Sequence, residues 1–168
     1  MHLKNDAQYN AHLSNAVSCL RSAQESLRGF PDIAGAGFLH DAEKEVAEAY
    51  MTRCLVAGET LPNHKSIGVR VAAWLNGLAE AASEVRRSML DELRNGQTTR
   101  AVELFASMEG AFDFLVTVDY PDAITGGLRR SADALRAVVE RSRSDLTTTL
   151  IQERLRVALT NQAPSQST

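Results

Sequence analysis

Apolar residues recur every three to four positions along almost the whole chain, and the stretches that show this spacing are separated by most of its glycines and prolines. That period matches the helical turn and not the alternation of a strand, so the pattern confines the chain to amphipathic helices joined by short breaks. The first helix is predicted from about Asp6 to Arg28, with Leu13, Val17, Leu20 and Leu27 on one face, and ends before Gly29 and Pro31. Gly35 and Gly37 open a second, from about Phe38 to Val56, which stops at Gly58. A loop through Leu61, Pro62 and Asn63 leads to an expected N-cap at Ser66. From there a long third helix, Ile67 to about Leu93, carries Val71, Leu75, Leu78, Ala82, Val85 and Met89 and stops at Asn95-Gly96. Thr98 or Thr99 caps a fourth, running through Val102, Phe105, Met108, Phe112 and Leu115 to Tyr120-Pro121. After Gly126-Gly127 a fifth extends from Leu128 to about Arg143, and Asp145 can cap a sixth to about Leu159.

The expectation is therefore a single soluble all-α domain over residues 1–160, with a disordered polar tail at 161–168. At 168 residues such a domain buries roughly 70% of the surface of its unfolded chain, enough for a core without staples. Ala, Leu, Glu and Arg dominate while aromatics make up 5%, which favours helix over strand. The formal charge of −3 argues against a globally basic nucleic-acid binder but leaves room for a local basic face. Cys19 and Cys54 have no C-x-x-C partner and lie in apolar helical patterns, so both are expected as reduced, buried thiols. The N-terminus lacks an apolar signal core and no later run approaches a membrane span, so a cytoplasmic location is the default expectation.

Two acidic rows carry the candidate chemistry. Glu45 and Glu48 are three apart and Glu80 and Glu84 four apart, so each pair projects from one face of its helix, with Asp41 one turn before the first row. Gly77 precedes Glu80 on the second row and permits close approach of another helix. Carboxylates at this spacing suit a hard cation such as Mg²⁺, which takes one or two of them directly and keeps several waters. Such pairs also arise by chance on solvated faces, and Lys44 and Arg87 are basic neighbours, so spacing alone leaves ordinary surface charge as an open alternative. His2, His12, His40 and His64 show no zinc or di-iron spacing, and no phosphate-cradling loop or G-x-S-x-G elbow occurs.

Three blocks resemble the translin/TRAX family, particularly its prokaryotic branch. The first, Gly37-Phe38-Leu39-His40-Asp41-Ala42-Glu43-Lys44-Glu45-Val46-Ala47-Glu48-Ala49, is similar to the family's acidic second helix in its TRAX form. The second runs from Leu75 to Arg87 and is similar to the signature G-L-x-[DE]-x-x-x-E-[LV]-x-R. The third runs from Asp119-Tyr120-Pro121 through Gly126-Gly127-Leu128-Arg129-Arg130, followed by Glu140 to Thr147.

The resemblance implies an all-α, translin-like bundle, here of about six helices and lacking the family's usual first helix. It further implies a hollow oligomer that encloses single-stranded RNA or DNA, a homo-oligomer or one completed by a paralogous translin-like subunit. In TRAX subunits it implies a Mg²⁺-dependent endoribonuclease, with Mn²⁺ as a substitute ion. The positions matching the TRAX catalytic acids are Glu45, Glu48 and Glu80, with Glu84 as a supporting metal residue and Lys44 where the family often has Gln. Glu80 replaces an aspartate found in many relatives. The basic stretch Arg129, Arg130, Arg136, Arg141 and Arg143 offers a nucleic-acid surface, chiefly Arg129, Arg130 and Arg136; a solvated or intersubunit salt-bridge face is the alternative. Two other functions compete: a non-catalytic translin-like nucleic-acid-binding scaffold, and an all-α nucleoside-triphosphate pyrophosphohydrolase. The latter's usual second pair is E-x-x-D, whereas Glu80 and Glu84 are four apart.

Overall fold

The computed structural model describes the backbone of residues 2–162 and the side chains of residues 7–161. Among the described residues every regular element is a helix: α1 (His2–Ser26), α2 (Pro31–Ala34), α3 (Phe38–Ala57), α4 (His64–Ile67), α5 (Val71–Arg94), α6 (Thr98–Val116), α7 (Asp122–Thr125) and α8 (Leu128–Gln162). The expected all-α architecture is present. From Ala163 onward the expected tail lies outside the described residues, and Asn161 and Gln162 belong to α8.

Helix α5 is the axis of the molecule, packing against α3, α6 and α8, while α1 lies on the outside of α3. This position follows from its sequence. Leu75, Leu78, Ala82, Val85 and Met89 form its inward stripe, and Ala73, Ala79 and Ala81 let neighbours approach on its other sides. Val71, expected on that stripe, is exposed because α5 begins only there. Met51, Leu104, Met108, Leu115 and Leu135 complete the fully buried set, each contributing roughly 1.5–3 kcal/mol by leaving water. Leu13, Val17 and Leu20 of α1 are buried as expected, against α3.

The described residues form eight helices where about six were expected, because α2, α4 and α7 are added short turns; α1 starts at His2 and α6 ends at Val116, short of Tyr120-Pro121, and three further differences have local causes. The predicted third helix is split, because Gly68 adopts a left-handed φ of 73° and closes a single turn of helix before α5 starts. The N-cap of that turn is Asn63, whose Oδ1 accepts from the Lys65 N–H, and Ser66 instead donates its hydroxyl to the Asn63 carbonyl. The predicted fifth and sixth helices are one continuous α8. Asp145 does not cap a new helix, because its carboxylate is taken up by Arg86 of α5 at 2.6 Å. No glycine or proline between Leu128 and Gln162 forces a break.

Two polar clusters tie the bundle together. Asn76 is buried on α5; its Nδ2 donates to the Thr125 carbonyl at 2.7 Å and its Oδ1 accepts from the Ser131 hydroxyl at 2.7 Å, fixing α7 and α8 onto α5. Glu43, only 2% exposed, accepts from Arg70 Nε at 2.7 Å and Gln24 Nε2 at 3.0 Å, so α1, α3 and the start of α5 meet at one satisfied carboxylate. Both cysteines are free; Cys54 is buried as expected, but Cys19 is exposed.

Candidate metal centre

The α3–α5 crossing places the acidic rows. At Gly77 the helices are so close that an added Cβ would lie 2.8 Å from the Ala47 Cβ, 2.8 Å from the Lys44 carbonyl oxygen and 3.0 Å from the Glu48 backbone nitrogen. No side chain fits there without parting the backbones. One turn beyond the contact, Glu80 faces the row of Glu45 and Glu48. Each of Glu45, Glu48 and Glu80 offers a carboxylate oxygen, and the three oxygens lie within 4.8 Å of one another. Glu45 is exposed and the other two half-buried, so the cluster opens to solvent on one side.

Carboxylates this close raise the cost of ionising one another. Glu48 carries most of that cost: partial burial, then the charges of Glu80 and Glu45, a hydrogen bond to Glu80 that only its protonated form donates, and the charge of Glu84 push it up to about 7. One cation answers the cluster from within the chain, since Lys44 donates from Nζ to Glu80 Oε1 at 2.8 Å. That hydrogen bond raises the ammonium's own pKa. Glu84 is exposed one turn further along α5 and is not part of the trio, although its charge reaches Glu48. The oxygen-only donor set, open on one face, fits a hard divalent cation and not zinc.

No family model matches the chain. An uncharacterized protein of Methanocaldococcus jannaschii is 27% identical over 143 residues, covering 84% of this chain; the chain spans 63% of that relative's length. The crystal structure of AfC3PO superposes with a TM-score of 0.74 at 28% identity, over 85% of this chain and 74% of that one. AfC3PO in its duplex RNA complex gives a TM-score of 0.66 at 24% identity, over 89% and 87% of the two chains. The fold is translin-like.

Within this translin-like bundle the predicted arginines lie on α8. Arg129, Arg130 and Arg136 are all exposed. Arg129 borders a recess of about 330 Å³ shared with Asp119 and Tyr120, while Arg136 sits 5.6 Å over the Phe112 ring and 3.9 Å from Asp133. Arg143 pairs with Glu109 of α6 at 2.6 Å, which makes it a tie within the bundle. Two residues of the site region are not found by spacing. In the sequence Lys44 is only a neighbour of Glu45, and Glu43 is one more acid in an acidic row. The signal for Lys44 is its place one residue before Glu45 on the helix that crosses Gly77; for Glu43 no local signal exists, because its partner Arg70 is 27 residues away.

Proposed function

We propose that this chain is a TRAX-like, Mg²⁺-dependent endoribonuclease subunit that binds single-stranded RNA or DNA within a cytoplasmic translin-like homo-oligomer. The observation that carries the reading is the convergence of Glu45, Glu48 and Glu80 across the α3–α5 crossing. Those are the positions that the family resemblance marks as catalytic acids. Glu45, Glu48 and Glu80 would hold Mg²⁺ or Mn²⁺ from two helices, with Glu84 in a supporting role. When bound, the ion would stabilise charge on the scissile phosphodiester and lower the pKa of a coordinated water. Glu48, pushed up to about 7 in the metal-free protein, would give up its proton as the ion loads, so metal binding and cleavage should both rise with pH through neutrality. Arg129, Arg130 and Arg136 would meet the nucleic-acid backbone.

The Lys44–Glu80 ion pair favours a second reading, a nucleic-acid-binding scaffold whose acidic trio is neutralised from within and never loaded. Cleavage assays decide between the two. Labelled single-stranded RNA, DNA of the same sequence, duplex RNA and a nucleoside triphosphate are each incubated with Mg²⁺ or EDTA; the AfC3PO complex with duplex RNA motivates the third substrate. The expected result is cleavage of single-stranded RNA with Mg²⁺ only. Glu45→Gln, Glu48→Gln and Glu80→Gln should each lower the rate by about 100-fold or more, since even partners behind the ligands are worth 10–100-fold in metal sites. Helical content should be unchanged. Full activity in the Glu45→Gln and Glu80→Gln variants would sink the proposal, and binding without cleavage would establish the scaffold.

A further inference from the structure

Glu80 is claimed from two sides. It is one of the three carboxylates that lie within 4.8 Å of one another, and its Oε1 also accepts from Lys44 Nζ at 2.8 Å. The Lys44 side chain is only 21% exposed, which sets this pair apart from the solvated i,i+3 pairs elsewhere on the surface, such as Arg94–Asp91. Where a divalent ion takes up the Glu80 oxygen that Lys44 holds, the two cations lie within a few ångströms of each other and repel in this half-buried setting, which favours departure of the ammonium.

We propose that Lys44 is the resident counter-ion of the acidic trio, and that a divalent cation must displace it from Glu80, so that Lys44 sets the concentration at which the site loads. The inference rests on the metal-binding reading above. Without a metal, Lys44 neutralises one of three mutually repelling carboxylates and holds Glu80 against α3. Loading exchanges one cation for another. The side chain that leaves is long and flexible, so the exchange needs no movement of the α3 or α5 backbone. A glutamine at this position would offer no positive charge, and its site would load at lower metal concentration.

Calorimetric titration with Mn²⁺, without nucleic acid, tests the idea independently of any activity. Lys44→Gln should bind Mn²⁺ about three- to tenfold more tightly than wild type, equivalent to ~0.6–1.4 kcal/mol. Lys44→Arg, which keeps the charge, should stay near wild type. A double-mutant cycle separates displacement from a diffuse field effect: in a Glu80→Gln background, Lys44→Gln should change the affinity less than twofold. Thermal melts should show the reverse pattern for the metal-free protein, with Lys44→Gln less stable than wild type and gaining more from Mn²⁺. Equal or weaker binding by Lys44→Gln overturns the proposal, as does tightening of the same size in the Glu80→Gln background. Failure of the metal reading looks different. Neither wild type nor Lys44→Gln would then bind Mn²⁺ saturably, or Glu45→Gln and Glu48→Gln would bind it as wild type does, and both ideas would fall together.

Discussion

Glu48 and Glu43 lie less than two turns apart on α3 and show two ways of removing a carboxylate from water. Glu43 is almost wholly buried, yet Arg70 and Gln24 meet both of its oxygens. Glu48 is less buried, but its nearest groups are carboxylates, and it is pushed up to about 7. The sign of the consequence is fixed by linkage. A carboxyl whose folded pKa lies above its unfolded value binds more protons in the folded state, so stability falls as pH rises between about 4.5 and about 7. A divalent ion needs the ionised form and must expel that proton. Metal-free protein is therefore expected to melt at lower temperature at pH 8 than at pH 5.5 through this group. The stabilisation from added Mg²⁺ should be small at pH 5.5 and grow through pH 7. Melts of wild type and Glu48→Gln across that range check it; an equal pH response in the two proteins would remove Glu48 as the cause. Helical spacing made the two acidic rows legible in the sequence, but which of their members form the trio came from the family resemblance, since spacing alone also fits ordinary surface charge. Its internal counter-ion was not, since how far a lysine reaches across to another helix is a property of packing and not of spacing.

At the scale of elements, the α3–α5 crossing does most to create the site, and Gly77 sets its distance. An alanine there would press its methyl against the Lys44 carbonyl and the Glu48 nitrogen, backbone atoms that yield only if the helices separate. Gly77→Ala is expected to cost about 1–3 kcal/mol as overpacking, partly offset by alanine's better helix propensity. It should also widen the trio, so that Mn²⁺ stabilises the variant less than wild type. Denaturant unfolding with and without Mn²⁺ measures both, and undiminished metal stabilisation would show that the trio tolerates a wider crossing. This contact was readable in advance, because a glycine inside a helix otherwise rich in alanine and leucine weakens that helix, and a close approach by a neighbour offsets the loss. The ends of elements were less legible. Asp145 is a good capping residue by type, but its carboxylate belongs to an arginine 59 residues earlier, and a local rule cannot see that partner. Ser66 lost the cap for a different reason: Asn63 lies one residue before the turn that Gly68 terminates, which puts Ser66 inside that turn.

For the molecule as a whole, the end of α8 raises the question of partners. Its first five turns are buried through Leu128, Ala132, Leu135, Val139 and Leu146, after which Ile151, Leu155 and Leu159 recur at helical spacing and stay 58–59% exposed. No described helix is long and apolar enough to cross a membrane, so a lipid-spanning role does not account for this stripe. A helix that extends into water gains little from propensity alone, and an apolar stripe along it is stabilised only when covered. A second copy of the chain meets that need with surface already present, as the stripe can pair with its own image about a two-fold axis. The expected outcome is therefore a homo-oligomer at micromolar concentration, with a mass by light scattering that is a multiple of 18.3 kDa. Leu155→Asp, which puts a charge in the middle of the stripe at a side chain 58% exposed, should shift the mass to a smaller species with little loss of helix content. A wild-type chain that scatters as a monodisperse monomer would remove the closed assembly from the proposed function. An oligomer indifferent to Leu155→Asp would move the interface to another exposed apolar surface, such as Phe30, Ile33 and Phe38 ahead of the acidic helix.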